Sequence, residues 1–208
     1  MLRTFETTQK LFNDWAKTYD ESLENPNGPL YGYNHSLLEA KQMLHTSDKD
    51  SILDIGIGTG AFASLVSKND NNMFGIDLSE KMLDQCQNKH PKFNLNTGTF
   101  TNTGQKSESF DSVISSFCFH EVLPEQREEA CSEVYRILKP KGQFLLLDIM
   151  FASKIAMEDA KQRIGKRWDP TEDYPQINKL DSMLRMTGFS SVNWRQTAPC
   201  HWAVLAYK

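Results

Sequence analysis

Several features that would place a chain in a membrane, secreted or nucleic-acid-binding class are missing from this sequence. No apolar run approaches the roughly 18 residues that span a membrane, and residues 1–6 lack the apolar core of a signal peptide. The net charge is −4 and the basic residues are scattered. We therefore expect the protein to bind neither nucleic acid nor a membrane.

Cysteine is also scarce. Cys86, Cys118, Cys131 and Cys200 are too widely spaced for a zinc motif or for the disulfide framework of a secreted protein. This spacing predicts reduced thiols, a cytoplasmic protein and no metal site.

The length and composition of the chain fit one domain with a substantial core. It has 208 residues, of which 39% are hydrophobic and 24% charged. Apolar residues recur at helical spacing over residues 8–20, and the Pro/Gly-containing segment 25–29 then breaks the helix. A second helix is predicted over residues 33–44.

From residue 50 onwards, short apolar segments alternate with helical ones, which predicts a parallel sheet with helices on both faces. The predicted strands are residues 51–55, 72–76, 93–97, 110–115 and 143–148, and the later predicted helices are residues 79–88, 125–138, 155–164 and 177–186. Two final strands, residues 191–194 and 202–207, are close enough in sequence to pair antiparallel. The sequence therefore predicts an α/β fold with seven strands.

A glycine-rich loop, Gly56-Ile57-Gly58-Thr59-Gly60, follows the first predicted strand. Ligands bind beyond the carboxyl ends of such strands, and glycines let the backbone approach them closely. The loop fits both S-adenosylmethionine and the Gly-x-Gly-x-x-Ala pattern of dinucleotide sites. Asp54 favours the first ligand, because a carboxylate suits a cation and repels a pyrophosphate. Asp77, after the second strand, can bind the ribose of either.

Four segments resemble the motifs of class I S-adenosylmethionine-dependent methyltransferases, in the family's order and spacing. They are residues 52–60, 75–83, 110–116 and 138–142. The resemblance implies a Rossmann-like, mostly parallel seven-stranded sheet with an antiparallel C-terminal strand. Residues 12–20 and the tail also resemble the small bacterial YrrT-type methyltransferases.

The resemblance implies one domain over residues 1–208. Residues 1–48 would form a helical lid, residues 49–150 the cofactor-binding core, and residues 151–208 the substrate-shaping helices and the strand pair. The cofactor residues it implies are Tyr19, Asp54, Gly56, Gly58, Gly60, Asp77, Leu78, Met82, Thr99, Phe100 and Ser115. Thr99 stands where the family often has an aspartate, and a hydroxyl binds an adenine amino group more weakly than a carboxylate does.

The acceptor site should lie after the fourth strand. His120 is the candidate catalytic residue, because histidine can orient or deprotonate an acceptor near neutral pH; alternatively it packs against the following helix. The candidate substrate residues are Tyr33, Phe119, Asp148 and Trp168, each of which could instead serve packing.

A small-molecule acceptor is favoured over a nucleic acid. Residues 115–118 lack the Asn/Asp-Pro-Pro-Tyr/Phe sequence of enzymes that methylate base amino groups. Two alternatives stay open: a non-catalytic protein that binds S-adenosylmethionine or S-adenosylhomocysteine, and an NAD-dependent oxidoreductase. The sequence predicts neither the acceptor's identity nor the oligomeric state.

Overall fold

The computed structural model describes residues 2–24 and 27–208. Seven strands are present in this part of the chain: β1 (Ile52–Ile55), β2 (Met73–Asp77), β3 (Asn94–Thr97), β4 (Phe110–Ser116), β5 (Leu138–Ile149), β6 (Ser190–Ala198) and β7 (His201–Tyr207). They form one sheet in the order β3-β2-β1-β4-β5-β7-β6. The strand β7 pairs antiparallel with β5 and β6, and the other pairs are parallel. The predicted Rossmann-like fold is confirmed.

Helices cover both faces of the sheet. They are α1 (Phe5–Trp15), α2 (Tyr19–Glu24), α3 (Tyr33–Met43), α4 (Ala61–Val66), α5 (Glu80–Lys89), α6 (Arg127–Ile137), α7 (Lys154–Ile164) and α8 (Ile177–Thr187). None of the helices in the described residues is long and apolar enough to cross a membrane.

The interior strand β5 shows how the core is divided between the two faces. Leu145 and Leu147 pack into one apolar cluster, with residues of α3 and α4. Phe144 and Leu146 pack into a second cluster, with residues of α6 and α8. Successive side chains of a strand point to opposite faces. The uninterrupted apolar run of β5 therefore supplies both clusters.

The N-terminal helix begins and ends earlier than the predicted segment 8–20. Thr4 and Thr7 form a capping box, in which each side chain bonds the other residue's backbone N–H. Such a cap satisfies N–H groups that have no partner within the helix, so α1 starts at Phe5. A separate helix, α2, begins at Tyr19. Asn25 and Pro26, from the predicted helix break, lie outside the described residues.

The fifth strand begins five residues earlier than predicted, directly after α6. Pro140, Lys141 and Gly142, which precede the predicted strand 143–148, lie inside β5. The register of β5 against β4 shifts between Phe110 and Ser112, and Lys141 has a φ of +66°. A bulge of this kind accommodates proline and glycine within a strand.

Candidate active site

Two backbone hydrogen bonds hold the glycine-rich loop against β2. The N–H groups of Gly56 and Ile57 donate to the carbonyl oxygen of Ile76 at 2.8 and 3.0 Å. Gly56 has a φ of +73°, and a Cβ there would lie 2.6 Å from the Cβ of Cys118. Both the left-handed backbone and this close approach require glycine.

A cavity of about 260 Å³ lies between the glycine-rich loop and α1. Gly56 and Gly58 line it from the loop, Phe117 follows β4, and α1 contributes Phe5 and Phe12. In α/β sheets, ligands bind in this position, beyond the carboxyl ends of the strands. The sheet and the first helix thus enclose a candidate ligand site.

Two buried carboxylates, Asp54 and Asp77, lie at this loop. Burial raises the pKa of Asp54 well above its usual range and the charge of Asp77 raises it further, whereas the backbone N–H of Ala63 lowers it. The Oδ1 atom of Asp54 is buried without a hydrogen-bond partner in residues 2–24 and 27–208. Within the same residues, no Lys, Arg or His forms an ion pair with either carboxylate. Buried charges are normally paired, so this pair favours a cationic ligand.

Asp77 also fixes the shape of the loop. Its Oδ2 accepts a hydrogen bond from the N–H of Gly58 and its Oδ1 accepts one from the N–H of Ser79, both at 2.8 Å. Burial raises the pKa of Asp77 to about 6, although the N–H groups of Ser79, Gly58 and Leu78 act to lower it. The side chain is therefore mainly ionised at neutral pH, and each oxygen has a further lone pair for a ligand hydroxyl.

Side-chain hydrogen bonds connect the N-terminal helices to the same site. The hydroxyl of Ser79 donates to Oδ1 of Asn13 at 2.7 Å, and the hydroxyl of Thr59 donates to Oδ1 of Asp20 at 2.7 Å. Tyr19, at the start of α2, lines the cavity. Both helices are thus anchored to the cavity by polar contacts.

Eight of the predicted cofactor residues line this one cavity: Tyr19, Gly56, Gly58, Asp77, Leu78, Met82, Thr99 and Phe100. Asp54, Gly60 and Ser115 are not part of the lining. Gly60 is the N-cap of α4, and the hydroxyl of Ser115 donates to the carbonyl of Ile55 at 2.6 Å. Side chains alternate along β4, so Ser116 lines the cavity in its place.

The predicted substrate residues Tyr33, Phe119, Asp148 and Trp168 do not line the cavity. Phe119 is completely buried, and Trp168 packs against Tyr174 with ring centroids 4.9 Å apart. Tyr33 packs against the cavity residue Phe117 at 4.7 Å. Their contact with an acceptor stays a prediction.

His120, the predicted catalytic residue, lies beside the cavity in the turn after β4. Asp148 of β5 accepts hydrogen bonds from its backbone N–H at 2.9 Å and from its Nδ1 at 2.6 Å. Burial alone lowers the pKa of His120, but the charge and hydrogen bond of Asp148, with the charges of Glu172 and Glu121, raise it to about 9. His120 faces a separate small space of about 10 Å³ that Arg3 and Glu121 also line.

Arg3 is a site residue that sequence analysis missed. Its guanidinium donates to Glu121 from Nε at 3.2 Å, to Asp169 and Thr171 from Nη1 at 2.8 Å each, and to Glu172 from Nη2 at 2.6 Å. These partners are 118 to 169 positions away in sequence. No local pattern marks such a contact, which arises only when the fold brings the segments together.

Comparison with known proteins agrees with this geometry. A family model described as a methyltransferase domain matches residues 53–146. Residues 53–146 are thus similar to a methyltransferase domain. An uncharacterized methyltransferase of Oceanobacillus iheyensis is 27% identical, over 95% of this chain and 96% of its own. The uncharacterized methyltransferase YrrT of Halobacillus halophilus is likewise 27% identical, over 95% and 96%.

A solved structure supports the fold. The S-adenosylmethionine-dependent methyltransferase of Thermotoga maritima, described as a possible histamine N-methyltransferase, matches with a TM-score of 0.72, at 20% identity, over 96% of this chain and 99% of its own. The predicted resemblance to class I methyltransferases is confirmed, and S-adenosylmethionine is the cofactor that this resemblance implies.

The residues of the cavity fit this cofactor. S-adenosylmethionine carries positive charge on its sulfur and its amino group, and the site offers the carboxyl groups of Asp54 and Asp77, which form no ion pair within the described residues. The free Oδ1 of Asp54 is a buried acceptor that is costly to leave unpaired. A Cβ on Gly58 would meet no atom within 4 Å, so the backbone there faces open space. The site thus matches this cofactor in charge and leaves room for it.

Proposed function

We propose that the methyltransferase transfers a methyl group in line to a small-molecule acceptor. When bound, S-adenosylmethionine supplies a methyl group on a positively charged sulfur, which is already an activated leaving group. The protein then has to align the acceptor and exclude water. The observation that carries the proposal is the pair of buried carboxyl groups, Asp54 and Asp77, which form no ion pair within the described residues and lie beside the cavity.

On this proposal, the cofactor residues divide by chemistry. Asp77 would bind the ribose hydroxyls, and Asp54 with the glycine-rich loop would accommodate the methionine portion. Leu78 and Met82 would pack near the adenine, and the hydroxyl of Thr99 would contact its amino group. These roles combine the family resemblance with the shared position of Asp77, Leu78, Met82 and Thr99 on the cavity wall.

His120 would position the acceptor. Its pKa of about 9 means that it is protonated at neutral pH, so it would hold an acceptor atom by donating a hydrogen bond. The route from the cavity to His120 passes Arg3 and Glu121, which line both the cavity and the small space around the ring. An acceptor that reaches His120 therefore has to displace Arg3.

Three parts of the domain would have separate tasks in this reaction. Residues 1–48 would act as a lid, since α1 and α2 supply Phe5, Thr8, Phe12 and Tyr19 to the cavity wall. Residues 49–150 would bind the cofactor, and residues 151–208 would shape the acceptor site. A net charge of −4 supports a small acceptor over a polyanionic nucleic acid.

The direct test is formation of S-adenosylhomocysteine from S-adenosylmethionine with panels of amines, thiols, phenols and carboxylic acids, alongside tRNA and duplex DNA. Acceptor-dependent turnover with one small-molecule class supports the proposal. Turnover with nucleic acid alone would overturn the small-molecule assignment. Cofactor binding without turnover across all panels would instead identify a non-catalytic binding protein.

The role of His120 is tested with the acceptor that the screen identifies. His120→Gln should lower kcat about a hundredfold, the scale of a misplaced reacting group, while the dissociation constant of S-adenosylhomocysteine stays the same. His35→Gln, at an exposed position, is the matched control. Unchanged kcat and KM in His120→Gln would remove His120 from the mechanism.

A further inference from the structure

A histidine and two glutamates from distant parts of the chain converge beside the cavity. The Nε2 atom of His120 lies 3.8 Å from Oε1 of Glu121 and 3.9 Å from Oε1 of Glu172. The three ligand atoms of these residues all lie within 4.8 Å of one another. A point equidistant from such atoms is about 2–2.5 Å from each, close to the distances at which histidine nitrogen and carboxylate oxygen bind a metal ion.

The histidine is oriented for a ligand at Nε2. Its other ring nitrogen, Nδ1, is held by Asp148 at 2.6 Å. A carboxylate behind a histidine is the usual outer-shell arrangement at metal sites, because it fixes the ring and its tautomer. His120 is only 7% exposed, and Nε2 has no hydrogen-bond partner within the described part of the chain. The Nε2 atom of a largely buried side chain thus lies near two carboxylates and is hydrogen-bonded to neither.

The surroundings carry excess negative charge. Asp148, Glu121, Glu172 and Asp169 face two cationic side chains, Arg3 and His120, even when the histidine is counted as protonated. A single nitrogen of Arg3, Nη2, contacts Oε1 of both Glu121 and Glu172. Arg3 therefore occupies the place that a cation would take between these oxygens.

From this convergence we infer that His120, Glu121 and Glu172 form a binding site for a divalent transition metal ion, with Arg3 as its internal competitor. One nitrogen and two carboxylate oxygens suit Mn²⁺ or Zn²⁺ better than a cage of oxygens would. The small space that His120 and Glu121 line, about 10 Å³, approaches the 10–15 Å³ or so that holds one water-sized occupant. Three protein ligands leave positions open on the ion.

The site bears on the proposed function through its location. Glu121 lines the main cavity as well as the small space, so an ion there stands between His120 and the cavity. An oxygen or nitrogen atom of an acceptor can then occupy an open position on the ion. The site itself is argued from the described side chains and does not depend on the proposed function.

The test is metal titration of the tag-free, chelator-treated protein without cofactor. We expect wild-type protein to bind one equivalent of Mn²⁺ or Zn²⁺ by calorimetry. Glu172→Gln and Asp148→Asn should each weaken binding by roughly 10–100-fold, the scale for metal-site partners. Arg3→Met, which removes the competing charge, should tighten it by about tenfold. Glu125→Gln, at an exposed position four residues after Glu121, should leave the affinity for the metal ion unchanged.

A variant that fails to fold would lose metal binding, whereas Arg3→Met is expected to bind the metal ion more tightly. This variant therefore separates loss of the site from loss of folding. Binding of S-adenosylhomocysteine by the same samples checks their folding and tests the cofactor assignment separately. The inference is overturned if neither wild-type protein nor Arg3→Met binds Mn²⁺ or Zn²⁺ at concentrations up to about 1 mM. It is also overturned if a folded Glu172→Gln binds metal as tightly as wild-type protein does.

Discussion

Replacement of Gly56 by alanine perturbs the glycine-rich loop where the backbone has least room. The residue has a φ of +73°, and the new Cβ would lie 2.6 Å from the Cβ of Cys118. Left-handed backbone costs a residue with a Cβ about 1–2 kcal/mol, and overpacking adds about 1–3 kcal/mol. We therefore expect Gly56→Ala to lower the free energy of unfolding by about 2–5 kcal/mol.

Two other glycines separate these contributions. Gly58 and Gly104 also have positive φ values, +55° and +68°, but an added Cβ at either would meet nothing within 4 Å. Gly58→Ala and Gly104→Ala should each cost about 1–2 kcal/mol from backbone strain alone. Gly58 lines the cavity and Gly104 does not. Only Gly58→Ala of these two should also weaken S-adenosylhomocysteine binding.

The assay is urea unfolding of the three variants, with S-adenosylhomocysteine affinity measured on the same preparations. Equal destabilisation by Gly56→Ala and Gly104→Ala would refute the steric role assigned to Cys118. Unchanged affinity in Gly58→Ala would show that the backbone at Gly58 does not face the ligand.

Three further predictions follow from buried polar groups. Because burial raises the pKa of Asp77 to about 6, affinity for S-adenosylhomocysteine should fall up to about tenfold per pH unit below 6; a flat titration from pH 5 to 7.5 would contradict this. The pKa of His120 in the folded protein, about 9, exceeds its ordinary value of 6.5. In metal-free protein, protonated His120 should therefore stabilise the fold by at most about 3 kcal/mol. This stabilisation is complete below pH 6.5 and is lost as the pH rises through 9. Asp148→Asn should remove that pH dependence in urea unfolding. The hydroxyl of Ser36 is hydrogen-bonded to Nδ1 of the buried His201 at 2.8 Å. Ser36→Ala should therefore lower the free energy of unfolding by about 1–3 kcal/mol. A decrease below about 0.5 kcal/mol, within the range of ordinary surface substitutions, would argue against that bond.

Much of the fold could be predicted because its signals are local. Short apolar segments predicted the strands, and their alternation with helical segments predicted a parallel sheet. The boundaries that differ depend on contacts that periodicity does not report. The early start of α1 depends on reciprocal hydrogen bonds between Thr4 and Thr7. The early start of β5 depends on pairing with the irregular beginning of β4.

The candidate site also combines residues that local sequence patterns predict with residues that only the fold brings together. Asp77 and the glycines were predictable because cofactor loops have a compact sequence pattern. Ser115 and its neighbour Ser116 differ by one position along a strand, and which of them faces the cavity depends on strand orientation. The ion pairs of Arg3 join segments up to 169 positions apart. Their partners could be recognised only once the fold had placed them around His120.

The most direct test of the account is calorimetric titration of the protein with S-adenosylmethionine, S-adenosylhomocysteine and NADH in parallel. The account predicts binding of both sulfur nucleosides and none of NADH. Asp77→Ala, which removes the proposed ribose contact, should weaken that binding at least about tenfold. Asp84→Ala, at an exposed position on α5, should leave it unchanged. Folded protein that binds neither sulfur nucleoside, or that binds NADH tightly, would contradict the account.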